Sequence, residues 1–297
     1  MRNHPQELHG ARVRLRYSVR LAYEATGDAS WLLNIHAAHT PAQSVIAESL
    51  VLTPSRAVAI DMDAASGNRL ARFASGPGRQ EVHYEGTVDI AHHYAEPDTL
   101  RAEQPTELPV RVLAYLRPSR FAPSDLLAPR AWAQFGSMPR GYAQLAAVRD
   151  WVRDEIAFQP GASNSNTTAL DTLEAKSGVC RDFAHVMISF ARGLGYPARF
   201  VTGVDYGADP ALGPPDFHAY VEVFVAGRWY LFDPTGISPV NGLIRIGTGR
   251  DAADVAFATI FGPVVTGMPT VAFEALEDPS AGVGRPIPTS LAVSTAS

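Results

Sequence analysis

The sequence predicts an α+β protein: an N-terminal antiparallel β-sandwich, then a core of helices packed on an antiparallel sheet. Three patterns predict it. The first third carries short alternating apolar runs separated by Gly, Pro, Ser or Asp. Apolar residues from Leu145 to Leu194 recur at helical spacing, and alternation returns from Ala198 onward.

In chain order, the early strands are read at Val13–Tyr17, Trp31–His36, Ser49–Leu52, Val58–Met62, Leu70–Phe73 and Thr87–Ile90. This gives a β-sandwich domain over residues 1–115. Between Tyr115 and Gly141 lies a stretch punctuated by Pro118 and Pro123, and proline restricts helix and sheet alike, so the chain is expected to cross a connector there. Leu145, Val148, Trp151, Val152 and Ile156 then mark one face of a helix over about 142–157. A second helix begins near Thr167 or Thr168, whose hydroxyls suit a cap, and stops before Gly178. Phe183, Met187, Phe190 and Leu194 define a third, from about Cys180 until Gly193, Gly195 and Pro197 end it. Strands follow at Ala198–Val204, Phe217–Val225 and Arg228–Phe232, the last two joined as a hairpin at Ala226-Gly227. The core is therefore expected over 116–273. Residues 274–297, rich in Gly, Pro and Ser, read as a disordered tail.

Composition excludes several functions. The formal net charge of −5 offers no overall basic field for a nucleic acid. A single cysteine forms neither an internal disulfide nor a thiolate-rich zinc site. No stretch approaches the ~20 apolar residues that span a bilayer, and the N-terminal arginines interrupt any signal-peptide core, so a cytoplasmic location and no membrane partner are expected. Asp61-Met62-Asp63 lacks the remaining ligands of a calcium loop, and no metal or cofactor is expected.

The chemistry converges on that cysteine. Cys180 falls at a helix N-terminus, where unpaired N–H groups and the helix dipole favour the thiolate that attacks carbonyls. Asp182 opposes that charge and Arg181 offsets it. A lone cysteine is more often buried filler, and the helix start is what weighs against this. The hairpin supplies a base and its orienter. With a two-residue loop, Val225 faces Arg228, Tyr220 faces Asp233 and His218 faces Thr235. His218 and Asp233 then share a face as diagonal neighbours, with Cβ atoms about 7–8 Å apart. A three-residue loop would separate them. Other candidates are weaker. His185 is turned away from the thiol along the helix and is assigned to packing. His92-His93 lacks a third ligand. Asp205, Asp209 and Asp216 lie in a Gly- and Pro-rich loop where charge is usually solvated. Arg250, Asp251 and Asp254 read as a structural charged cluster.

Four motifs in this order resemble the transglutaminase-like superfamily of the papain-like fold. They are Thr167-Thr168-Ala169, the run Ser177-Gly178-Val179-Cys180-Arg181-Asp182-Phe183-Ala184-His185, Asp216-Phe217-His218-Ala219-Tyr220, and Trp229-Tyr230-Leu231-Phe232-Asp233-Pro234-Thr235. Leu116–Asp125 and Gly249–Ala256 are similar to the bacterial branch, which carries an N-terminal β-domain. The resemblance implies that Cys180 is a nucleophile, His218 its proton acceptor and Asp233 the residue that orients the imidazole. It also implies a peptide or protein substrate with a scissile amide. Where papain-like proteases often place a Gln, this chain has Glu174, which as a carboxylate cannot donate. Ala122 stands where the bacterial pattern commonly has a Cys. Hydrolysis is the expected outcome, with protein cross-linking and non-catalytic peptide binding as the other readings.

Overall fold

The structure is a computed structural model and describes residues 12–208 and 215–296. Its first strands are β1 (Arg12–Ala25), β2 (Ala29–Leu33), β3 (Gln43–Thr53), β4 (Ala59–Met62), β5 (Arg69–Ser75), β6 (Gly78–Ile90) and β7 (His93–Ala95). Burial alternates strictly along β1 and β5, the period that fills one face of each sheet with core. Four helices follow: α1 (Ser124–Phe135), α2 (Tyr142–Glu155), α3 (Ala169–Ala175) and α4 (Cys180–Gly193). Between them, the short parallel pair β8 (Ala157–Phe158) and β9 (Ser177–Gly178) leads into α4. The second sheet region comprises β10 (Ala198–Asp205), β11 (His218–Val225), β12 (Arg228–Phe232) and β13 (Leu243–Gly249), in spatial order β12-β11-β10-β13 and antiparallel throughout.

The connector is not free of structure. Between the expected boundary and α2 the chain forms α1, with Pro129 inside it. Proline removes a helical hydrogen bond, but tertiary packing outweighs that cost here. Leu127, Ala131 and Phe135, one turn apart, are buried against the same core as α4. The approach of the two helices is close. A Cβ on Gly193 would stand 2.9 Å from the Ala128 Cα.

The C-terminal segment also departs from expectation. β14 (Ala258–Phe261), β15 (Val264–Thr266), β16 (Thr270–Ala275) and β17 (Val283–Gly284) return to the sandwich, β14 beside β2 and the other three beside β1. The β-sandwich therefore draws on both ends of the chain, and the residue-115 and residue-273 boundaries are crossed. The expected disordered tail is instead packed. β18 (Ala292–Ser294) pairs with β7, and the Thr295 hydroxyl accepts a hydrogen bond from Arg245 Nη2 at 3.0 Å. Its small side chains and hydroxyls, which composition reads as unable to form a core, are the ones that fit a narrow groove beside a buried guanidinium.

The two halves are joined through β10 and β13. Val204, Ile244 and Ile246 enter the sandwich core. Gln43 Nε2 donates to the carbonyls of Ala38 and Arg245, both at 2.8 Å, while its Oε1 accepts the Arg245 N–H at 2.9 Å. No helix among the described residues is long and apolar enough to cross a membrane.

The turn between β11 and β12 is the tight two-residue kind. Ala226 and Gly227 have φ of 52° and 77°, the paired positive values of a type I′ turn, and Val225 faces Arg228 as the sequence implies. Both turn N–H groups donate to the Glu103 carboxylate. Alanine is strained in this left-handed region, by about 1–2 kcal/mol. Ala226→Asn should therefore raise stability by about 1 kcal/mol, read as a higher urea midpoint with an unchanged denaturant slope.

Candidate active site

Cys180 is the first residue of α4, and the approach to it is held by three devices. Gln159 N–H donates to the Gly178 carbonyl at 2.9 Å, extending the β8–β9 pairing to the residue before Val179. Lys176 ends α3 in the left-handed conformation, φ 53°, which turns the chain toward α4. The Asp182 carboxylate then folds back to accept the Val179 N–H at 2.9 Å, satisfying one of the groups that a helix start leaves free. A Cβ on Gly178 would stand 2.8 Å from Asp182 Cβ, so this cap requires glycine.

Asp182 does not bear freely on the thiol. It is fully buried, and Arg181 pairs with its other oxygen at 3.0 Å while also donating to the Asn164 carbonyl at 2.6 Å. Cys180 itself is partly exposed. Its backbone N–H belongs to the first turn, where the helix offers no acceptor.

His218 opens β11 and is buried. Its Nε2 lies 3.3 Å from Asp233 Oδ1, and the Cys180 thiol is near enough to favour the charged imidazole. The His218–Asp233 contact is an ion-pair distance, with the N–H off the axis of a straight hydrogen bond. The pairing of β11 with β12 runs to Val221 and Phe232, and the same register continued by one residue sets Asp233 beside Tyr220. The structure thus brings together the three residues that the sequence singles out.

Asp233 is fixed by donors that sequence reasoning did not reach. Its Oδ1 accepts from the Thr235 N–H at 2.9 Å and the Thr235 hydroxyl at 2.6 Å, and its Oδ2 accepts from the Ser238 N–H at 3.0 Å. Asp followed two residues on by Thr is the local signal of such a turn. Burial disfavours the Asp233 charge, but His218 and these donors outweigh it and hold the carboxyl below its usual range. Burial likewise works against a charged His218. The Asp233 charge and hydrogen bond, then Cys180, prevail and favour the imidazolium, raising the group well above its ordinary value of about 6.5.

The other sequence candidates fall as follows. His185 is buried between Phe121 and Phe200 and its Nε2 accepts the Ala252 N–H at 3.2 Å, a packing role. Glu174 is exposed on α3. Arg250 pairs with Asp254 at 2.9 Å across an exposed turn, and buried Asp251 accepts the Phe121 N–H at 3.0 Å, tying β13 to the segment before α1. Asp209 lies outside the described residues, and Asp216 is exposed. Asp205 is a correction. It is not a solvated loop carboxylate but the last residue of β10, only 4% exposed, because the strand runs one residue beyond its alternating apolar positions.

Known proteins match this arrangement. The pattern of the transglutaminase-like superfamily matches residues 131–234, a span that contains Cys180, His218 and Asp233, and that of the bacterial transglutaminase N-terminal domain matches residues 13–107. A crystal structure from Cytophaga hutchinsonii, of a protein described as a "putative cysteine protease", superposes with a TM-score of 0.87 at 31% identity, covering 95% of this chain and 97% of that one. An uncharacterized protein of Mycobacterium leprae is 34% identical over 119 residues, 42% of its length, and one of Mycobacterium tuberculosis is 30% identical over 112 residues, 36% of its length. These matches to curated relatives thus span less than half of each relative.

The ion pair makes stability depend on pH at both ends. The His218 contribution is complete below the ordinary imidazole value, about 6.5, and is lost as pH rises through its raised folded value; the Asp233 contribution is complete above about 3.9 and is lost as pH falls through its lowered folded value. Asp233→Asn should cost about 3–5 kcal/mol between about pH 4 and 6.5, with the deficit shrinking toward both extremes in urea titrations.

Proposed function

The chain belongs to the transglutaminase-like superfamily, and on that premise we propose that it is a thiol-dependent amide hydrolase acting on peptide or protein substrates. The observation that carries this reading is a buried His218 that pairs with the Asp233 carboxylate at 3.3 Å and lies within electrostatic reach of Cys180 at the start of α4.

In the proposed reaction His218 takes the thiol proton, and the Cys180 thiolate attacks the carbonyl carbon of a substrate amide. Asp233, held by Thr235 and Ser238, keeps the imidazole oriented and stabilises the imidazolium that results. The oxyanion that forms meets the Cys180 N–H at the start of α4. One donor of this kind contributes roughly 3 kcal/mol. His218 then passes its proton to the departing amine, leaving a thioester on Cys180. Water, deprotonated by the same imidazole, hydrolyses it and regenerates the thiol.

Hydrolysis is favoured over amine transfer because water is always at hand and no feature of the chain marks a lysine-binding site. The Cytophaga neighbour's description as a protease supports the same choice.

The purified chain should convert a mixture of unfolded proteins to shorter peptides, seen by mass spectrometry, and Cys180→Ala should abolish the conversion. Covalent incorporation of a labelled primary amine with no new peptide termini would point instead to cross-linking. Neither product from the wild type would favour a peptide-binding module.

A further inference from the structure

A second carboxylate stands at the base, and the proposed reaction does not use it. In the pairing of β10 with β11, Gly203 faces His218 and Val201 faces Tyr220. Strand alternation therefore puts Asp205 on the sheet face that carries Gly203, His218 and Tyr220. Gly203, opposite His218, puts no side chain of β10 between Asp205 and the imidazole, although Leu243 of β13 packs over it, with its Cδ1 in the space that a Cβ on Gly203 would need.

Asp205 is 4% exposed, and among the described residues its Oδ2 makes no hydrogen bond, so beside His218 its charge is favoured only weakly, by its own backbone N–H and the nearby Tyr220 hydroxyl. The Tyr220 hydroxyl lies close to both Asp205 and Ser238 without being aligned to either, and Ser238 Oγ is likewise buried and unserved. On β13, the Arg245 Nη atoms bond Glu222, Thr248 and Thr295, while its buried Nε has no partner among the described residues. Asp233 repels Asp205, and His218 is the cation that attracts it. Among the described residues, Asp216, exposed before β11, and Cys180, on α4, also act on His218.

The contrast with Asp233 separates the two carboxylates. Asp233 has three donors of its own beside His218 to support its charge. Asp205 has none of that strength, so its charge is tied to that of His218.

We propose that Asp205 is a positioning residue for the reaction: a second carboxylate partner of His218 that favours transfer of the Cys180 proton to the imidazole. This rests on the reading of Cys180 and His218 as a nucleophile and its base. The transfer breaks the S–H bond and forms an N–H bond, giving a thiolate and an imidazolium with no net change in charge. In a buried site the imidazolium is the costly product, and an ionised Asp205 offsets that cost beside Asp233. When His218 gives its proton to the leaving amine, Asp205 loses that counter-charge. Burial and the Asp233 charge raise the Asp205 carboxyl above its usual range, and the imidazolium works against them.

The test follows the thiolate by its ultraviolet absorbance and the His218 ring by NMR across a pH series of the full chain. Wild type should show thiolate at about pH 6, well below the ordinary thiol value of about 8.5. Asp205→Asn should lose most of that signal at about pH 6 and recover it near pH 10, where any thiol ionises, while the His218 midpoint falls by about one unit. Asp205→Glu, which restores the carboxylate, should recover at least half of both effects. If Asp205→Asn does not fold, Tyr220→Phe carries the test, since removing the neighbouring hydroxyl should shift both readings in the same direction by less. A folded Asp205→Asn, or Tyr220→Phe in its place, with the wild-type thiolate and midpoint would overturn the proposal. A wild type with no thiolate at about pH 6 would instead overturn the reading of Cys180 and His218 on which it rests.

Discussion

The register between β11 and β12 is the constraint on which the site depends. His218 opens one strand and Asp233 follows the other, so their meeting is decided at the far end of the hairpin, by the two residues Ala226 and Gly227. Strand side chains alternate with a period of two, and a one-residue slip would send Asp233 to the opposite face. The strained left-handed Ala226 and the capping of both turn amides by Glu103 are where the fold holds that register.

The strand that carries His218 is also gripped from behind. Glu222, fully buried on β11, accepts from Arg199 on β10 at 2.7 Å and from Arg245 Nη1 on β13 at 3.1 Å. Burial alone would raise the Glu222 carboxyl, but the two guanidinium groups reverse that and keep it charged. A buried ion network is weak evidence for stability, because desolvation offsets much of its attraction, yet its geometry admits few alternatives. Arg245 extends the network to Thr295 near the C-terminus, and its backbone is held by Gln43 from the sandwich. One residue on the edge strand thus links the sheet that presents the base, the N-terminal strands and the final strand.

Much of this was legible in the sequence because it is periodic. The helix starting at Cys180 was set by Phe183, Met187, Phe190 and Leu194, all buried, and the β11–β12 register by a short loop with glycine. What the sequence concealed lies where packing overrides local preference. Pro129 disguised α1, whose apolar face is satisfied only against α4. The composition of residues 274–297 imitated disorder, while β16, β17 and β18 pair with strands some two hundred residues earlier or more. Asp205 stood one residue past the apolar run of its strand, and a carboxylate at a strand end gives no sign in one dimension of being buried. Thr235 and Ser238 act on Asp233 through a turn whose closure depends on tertiary position.

The central claim is that Cys180 and His218 react as a unit. The most direct measurement is the rate of Cys180 alkylation by iodoacetamide, followed by intact mass over a pH series, in wild type and in His218→Ala. A reactive pair gives rapid labelling of wild type well below the free-thiol value of about 8.5, and a variant that labels only as an ordinary thiol does. A wild-type cysteine that stays inert at low pH, or a variant that keeps the early labelling, would contradict it.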